Sequence, residues 1–277
     1  SLQLPAVLAD GNLPALAAEF DCEVVILTDQ RHVPYIKQHP VYTALQKYAH
    51  VDIRTLDDLV ACWWHYGVSL SLILFRGIAD LGERMSETFL LFLNSDWVLA
   101  NGSYRNIIEH IKNGERLIYA PGYCTEAEGV KGWLLGSRKN NETTLSIRHR
   151  DMAAKILTNL HRSVESKTIN RQTFSMHVID QFYWRVDETT MIGRQMPIGL
   201  VGMRPTRVVN ELRTIWDFGV PQEFCPETKG IVMNDSDEFL MLEMRETETY
   251  GKHFELGWPT PGQIAETLSS FQTLHHR

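Results

Sequence analysis

The apolar run Phe89-Leu90-Leu91-Phe92-Leu93 ends abruptly in Asn94-Ser95-Asp96. Asn94 and Asp96 are hard oxygen donors, the type that suits Mg²⁺ or Mn²⁺. The same pattern recurs twice. Val24-Val25-Ile26-Leu27 ends in Thr28-Asp29-Gln30, and the apolar stretch closing at Met233 runs into Asn234-Asp235-Ser236-Asp237-Glu238. If these strands are parallel neighbours, their acidic ends converge on one sheet edge, where open α/β sheets place ligands. A divalent cation held there could bridge a diphosphate and act as a Lewis acid on a departing phosphate. Arg76, or Arg204 and Arg207, could add bidentate contacts to phosphate. Plainer readings stand beside this one. Asn94 and Asp96 suit an Asx-turn, Asp29 a helix N-cap, and Asp235 to Glu238 an exposed acidic turn. Arg76 suits a surface ion pair, and His65 and His177 suit structural roles.

The elements that must position these residues are legible from their periodicity. Five apolar residues bounded by polar ones predict a buried strand over 89–93. Asn101-Gly102 is a turn signal, Ser103 a good N-cap, and Ile107, Ile108 and Ile111 follow at helical spacing up to Asn113-Gly114. Residues 13–20 read as a short helix, 24–27 as a buried strand, and 51–54 as an exposed or edge strand. Pro40 should start a helix. The apolar segment from Asp57 to Met85 should break near Gly67, Gly77 or Gly82, and 116–120 is a further strand. Strands thus alternate with helices up to about residue 120, which predicts an α/β fold: a Rossmann-type, mostly parallel sheet with helices on both faces. Beyond it the pattern turns irregular α+β. Residues 121–145 read as loop, 150–162 as an amphipathic helix, and 181–186, 199–203 and 229–233 as strands. The whole reads as one domain, with a nucleotide-binding half (1–120), an acceptor-side half (121–250) and a tail (251–277). It is expected to be excised from a longer protein.

With 277 residues the chain can bury a large core, and its net charge of −7 argues against a nucleic-acid partner. Cys22, Cys62, Cys124 and Cys225 form no C-x-x-C pair, so they read as reduced thiols of a cytoplasmic protein. Peripheral association with a membrane is compatible with this, but no run is long enough for a transmembrane segment.

Four segments in order resemble a bacterial group of GT-A-fold glycosyltransferase-like proteins, in the nucleotide-diphospho-sugar transferase superfamily. These are residues 4–16, His65-Tyr66-Gly67 with Arg76-Gly77, the stretch from Asn94 to Ser103, in which Asn94-Ser95-Asp96 resembles an Asp-X-Asp motif, and residues 234–238. The resemblance implies a GT-A-like sheet, a nucleotide-sugar donor, foremost a UDP-sugar, and Mn²⁺ or Mg²⁺. It puts Thr28 and Asp29 near the base or ribose and Arg76 near the ribose or diphosphate. Asp96 would bind metal or ribose with Asn94 beside it; residues 191–205 lack the histidine that such a site expects, and His177 could substitute for it. Asp237 and Glu238 are the candidates for the general base that an inverting transfer needs at the acceptor hydroxyl, on their position at a strand end. The implied reaction moves a sugar to a glycan, lipid or protein acceptor. The alternative is a catalytically inactive GT-A-like binding or scaffolding module, favoured by Asn94 in place of the motif's first acid. A nucleotidyltransferase ranks last, because Asp10-Gly11-Asn12 is a poor phosphate loop.

Overall fold

The computed structural model describes residues 2–59, 66–138, 143–170, 181–195, 199–214, 216–247, 258 and 260–270. Two short helices, α1 (Gln3–Val7) and α2 (Leu13–Ala17), flank a turn at residues 10–12. Strand β1 (Glu23–Thr28), a 3₁₀ turn (Gln30–His32), α3 (Val33–Gln38), α4 (Pro40–Leu45) and β2 (His50–Thr55) follow. Pro40 opens α4, where its fixed φ costs nothing and its missing N–H is not needed. β1 and β2 pair in parallel, from Glu23 opposite His50 to Thr28 opposite Thr55.

The long apolar segment breaks as its glycines predict, into α5 (Tyr66–Arg76) and a 3₁₀ stretch (Ala79–Ser86). Next come β3 (Leu90–Leu91), β4 (Trp97–Leu99), α6 (Ser103–Lys112) and β5 (Leu117–Ala120). Gly102, at φ 106°, caps α6 in place of Ser103, which is the first helical residue, and Gly114 (φ 87°) follows its last turn. Only glycine takes such angles cheaply.

Residues 121–145, expected as loop, carry β6 (Gly122–Glu126) and α7 (Ala127–Ser137). The helix forms because Val130 and Leu134, one turn apart, are both fully buried. Then follow α8 (His149–Leu157), α9 (Arg162–Glu165), β7 (Gln181–Arg185), β8 (Met191–Gln195), β9 (Gly199–Met203), α10 (Trp216–Phe224), β10 (Ile231–Val232), β11 (Met241–Arg245) and α11 (Pro261–Ser270).

The fold is mixed α/β, but the strands form small mixed sheets rather than one long parallel sheet. β10, β5, β9 and β3 lie side by side, with β9 antiparallel to both its neighbours. β11 sits between β4, to which it is antiparallel, and β6, to which it is parallel. β7 and β8 make a hairpin. The departure from the expected sheet has a simple cause: β9, read from sequence only as a strand, inserts in reverse direction between β3 and β5. Strands from both sides of residue 120 therefore share sheets. The principal core collects Leu45, Leu99, Ile107, Ile118 and Phe239, with Val24, Ile26, Val51 and Leu91 packed against it, so the β1–β2 pair and the mixed sheet share one interior. Among the described residues no helix is long and apolar enough to cross a membrane.

Candidate functional site

The turn after β4 is held by the chain's N-terminal segment. Asn12 is fully buried. Its Nδ2 donates to the carbonyls of Ala6 and Ala100, and its Oδ1 accepts from the backbone N–H of Gly102 and Tyr104. The Gly11 N–H donates to Asn101 Oδ1 at 2.7 Å, and a side chain on Gly11 would meet the Gly102 backbone at 2.6 Å. Gln3 donates to the carbonyls of Leu93 and Asn94. Two of the segments singled out in the sequence, 10–12 and 101–103, thus interlock, and α1 pins the far end of the Asn94-Ser95-Asp96 turn.

Asp96 stands half-buried at the start of β4, its carbonyl accepting from the Met244 N–H of β11 at 2.9 Å. Alternate residues of a strand share a face, so Cys124 and Glu126 of β6 lie with Glu243 and Arg245 of β11, residue opposite residue. The Cys124 thiol donates to Glu243 Oε2 at 2.9 Å, and the Arg245 guanidinium pairs with Glu243 Oε1. His161, buried, lies 3.9 Å from Glu126 and bonds through Nε2 to the Glu246 carbonyl at 3.2 Å. Lys167, also buried, donates to Gln181 Oε1 at 3.4 Å, and its charge reaches Cys124. Burial, and then the charge of Glu243, raise Asp96 above the ordinary carboxylate range, with Arg245 offsetting part of this. Burial and the Glu243 charge likewise push the Cys124 thiol well up.

No short motif marks this polar row in the sequence, where it lies beyond the acidic turn 234–238. The signal was present. Glu243 and Arg245 alternate with Leu242 and Met244, the period-2 pattern of a strand with one polar face.

Of the candidate donor-binding residues, Thr28, Asp29 and Arg76 lie at the C-terminal edge of β1 and β2, whereas Asn94 and Asp96 precede β4, in a different sheet. Leu56 N–H bonds the Thr28 carbonyl, Gln30 N–H bonds Asp57 at 2.8 Å, and Arg76 pairs with Asp58 at 3.0 Å. The end of β1 and Arg76 therefore both contact the 56–58 turn, through Thr28, Gln30 and the Arg76 guanidinium. Two of the plainer readings describe real contacts here. Asp29 caps the following 3₁₀ turn by accepting from Arg31 N–H at 3.0 Å, and Arg76 makes an exposed ion pair.

Asp237 and Glu238 do not join Asp96. They precede β11, whereas Asp96 lies beside its C-terminal half. Leu240 and Met244 alone are separated by about 13 Å at roughly 3.3 Å per strand residue. Asp237 pairs with Arg150 of α8 at 3.1 Å, and Asp235 caps the Asp237 N–H at 2.8 Å, so the acidic-turn reading describes them. Asp237 also faces His149, which bonds the Ser103 hydroxyl at 3.2 Å. Glu238 instead lines a groove of about 710 Å³ with Glu19, Arg105, Asn106 and His110. The three acidic strand ends thus have separate neighbours. His65 and His177 lie outside the described residues. Arg204 and Arg207 bond backbone carbonyls, of Gly114 and Glu223 respectively.

Among the described residues, no group of three His, Cys, Asp or Glu side chains is placed to hold a metal ion. Mg²⁺ is, however, commonly bound by one or two carboxylates, with substrate phosphates and water completing its shell. Asp96, crowded by a neighbouring carboxylate in a half-buried setting, fits that kind of site, with Glu243 supplying charge behind it.

No protein-family model matches the chain, and neither a curated protein nor a solved structure matches it.

Proposed function

We propose that this chain is a GT-A-like protein that transfers a sugar from a nucleotide-diphosphate donor, foremost a UDP-sugar, to a glycan, lipid or protein acceptor. The observation that carries the reading is the half-buried Asp96 beside Glu243 and Arg245 at the head of β4. A carboxylate raised by burial and by a second acid gains most from a cation, and a diphosphate would complete that cation's shell. Support comes also from the edge of β1 and β2, where Thr28, Asp29 and Arg76 stand together at the ends of parallel strands. In this reading Asp96 holds Mn²⁺ or Mg²⁺, and Thr28 and Asp29 contact the base or ribose. Arg76 exchanges Asp58 for phosphate. The cation supplies charge neutralisation at the departing diphosphate. Arg245, already beside Asp96, keeps the site from becoming too acidic to admit an anion.

The alternative, a binding module without chemistry, is favoured by Asn94, a weaker ligand than aspartate. Calorimetric titration of UDP with and without Mn²⁺ tests the proposal. Metal-dependent binding, lost in Asp96→Asn, is the expected result. No heat with UDP or GDP under either condition would overturn it. Donor binding without hydrolysis or transfer of the sugar would favour the module.

A further inference from the structure

The apolar run 24–27 predicts a strand buried on both faces, yet every residue of β1 is only half-buried or exposed. The reason lies at its edge. In the parallel ladder the Cys22 carbonyl accepts from the His50 N–H at 2.9 Å and the Thr28 carbonyl from the Leu56 N–H at 3.0 Å. With that register, the peptide groups of Val24, Ile26 and Thr28 turn toward β2. Those of Val25 and Leu27 turn the other way and have no hydrogen-bond partner among the described residues. β3 repeats the pattern. The Phe92 N–H donates to the Val201 carbonyl at 2.9 Å, so Leu90 and Phe92 turn toward β9, while Leu91 and Leu93 turn away from it. The Leu93 carbonyl accepts from Gln3 Nε2 of α1 at 3.0 Å, but the Leu91 peptide groups have no partner among the described residues.

These two free edges belong to one layer. On one side, Val24 and Ile26 of β1 and Leu91 and Leu93 at β3 pack against the same core, which α2, α4 and α6 supply with Leu16, Leu45 and Ile107. On the other side lies α5. Its Leu74 and Phe75 pack with Leu90 and Phe92, and a Cβ on Gly77, just past it, would meet Leu27 Cδ1 at 3.1 Å. β1 gives the shared core two residues and β2 only Val51, so β1 is the strand nearer β3. Among the described residues no strand pairs with both β1 and β3. Neighbours in a sheet stand about 4.8 Å apart, so two strands of one layer that do not pair are next accommodated at about 10 Å, the room of one strand.

We propose that the slot between β1 and β3 takes an extended apolar strand of the same polypeptide, joined to the start of α1. The chemistry of the slot selects a strand. Its two edges offer peptide N–H and C=O groups, and its two faces offer only apolar side chains. An apolar molecule would leave the peptide groups unpaired, and a polar one would bury its own groups against leucine and valine. Gln3 selects the source. Its bonds to the Leu93 and Asn94 carbonyls hold the first turn of α1 at the end of β3. A strand joined to α1 leaves the slot at that end, so it runs parallel to β3 and needs only a short connection. It would make β2, β1, β3, β9, β5 and β10 one continuous sheet. The inference does not depend on sugar transfer at Asp96.

Amide hydrogen exchange tests it. In the chain of 277 residues, the Ile26 N–H should exchange slowly and those of Val25, Leu27 and Leu91 fast. Equal protection of all four would mean that the slot is already closed and would overturn the proposal. The chain is then lengthened ahead of Ser1 by a strand of alternating Val and Ile between two Lys, followed by a short Gly-Ser linker. Exchange at Val25, Leu27 and Leu91 should slow by roughly tenfold or more, as for amides drawn into a sheet, and the thermal midpoint should rise. The same extension with two prolines in the strand, which cannot donate to a ladder, should leave exchange fast. No protection from the tethered strand, or equal protection from the proline version, would overturn the proposal. So would stronger protection by the same strand added as a separate peptide, which would give the slot to a partner chain. Protection of the unextended chain that grows with its concentration would give the slot to a second copy and overturn it likewise.

Discussion

The Oδ1 of Asn12 accepts from the backbone N–H of Tyr104 at 3.2 Å, in a side chain with no exposure to solvent. Asn12 spends both ends of its amide joining the first turn of the chain to the first turn of α6. Asn12→Ala leaves two carbonyls and two N–H groups without this partner. At roughly 1–3 kcal/mol for a buried group left unsatisfied, a loss of at least about 3 kcal/mol is expected, read as a lower urea midpoint. Asn12→Asp should also destabilise, because it turns a carboxylate oxygen toward the Ala6 and Ala100 carbonyls.

The glycines of α7 give substitutions of opposite sign. Gly136→Ala fills open space in a helix and should stabilise by about 0.4–1 kcal/mol. Gly129→Ala drives a methyl group against Asn159 and should cost about 1–3 kcal/mol, the usual penalty of overpacking. Thermal melts of the two variants check both signs, and a gain from Gly129→Ala would contradict the packing of α7 on the Asn159 side chain.

Asp96 sets a pH dependence. Its folded pKa lies above the unfolded value, so the folded chain binds more protons in the window between them, and stability falls as pH rises through the folded value. At neutral pH the ionised Asp96 is therefore a burden. Asp96→Asn should raise the denaturation midpoint at pH 7.5, with the gain shrinking as pH approaches about 4, near the ordinary aspartate pKa. A loss of stability at pH 7.5 would show that Arg245 holds Asp96 more strongly than burial and Glu243 oppose it.

His161 titrates in the opposite sense. Burial, its largest influence, lowers its pKa, with Glu126 opposing. Its stabilising contribution is present above the unfolded histidine value of about 6.5 and is lost as pH falls through the folded one. Nδ1 accepts from the Ser163 N–H, leaving Nε2 to donate to the Glu246 carbonyl. Wild type should lose stability between pH 7.5 and 5.5, and His161→Gln should show a shallower slope over that window.

Cys124 should be chemically quiet. Its thiol is half-buried, bonded to Glu243 and pushed far from ionisation, and the thiolate is the reactive form. Iodoacetamide at pH 8 should leave Cys124 unmodified in the folded protein and label it once urea is added, as read by peptide mass spectrometry. Rapid labelling of the native protein would mean that the thiol is not held against Glu243.

Asp237→Asn should leave metal-dependent UDP binding within about twofold of wild type. Asp96→Asn should abolish it, since the two acids flank opposite ends of β11. An equal loss in both variants would require the acidic turn to reach the Asp96 centre, which the direction of β11 opposes.

Much of the local structure is determined by sequence alone. β1 follows from the apolar run 24–27, α4 from Pro40, and α6 from isoleucines at helical spacing closed by Asn113-Gly114. These features depend on φ/ψ preference and on which side of one element is apolar, and both are properties of adjacent residues. The break of the 57–85 segment belongs to the same class, because a glycine announces itself wherever it stands, whereas the cap of α6, expected at Ser103, falls on Gly102. Loop was expected over 121–145 because the polar residues near 140 outweighed Val130 and Leu134.

Tertiary structure alone decided which strand lies beside which. Nothing in residues 199–203 says that β9 runs backwards between β3 and β5, and nothing in 234–238 says that β11 carries that turn away from Asp96. The grouping of Asp96 with Cys124, Glu243 and Arg245 joins positions up to 149 residues apart through sheet hydrogen bonds. Such pairings are set by the burial of whole faces against one shared core, a sum over the chain to which no single motif holds the key.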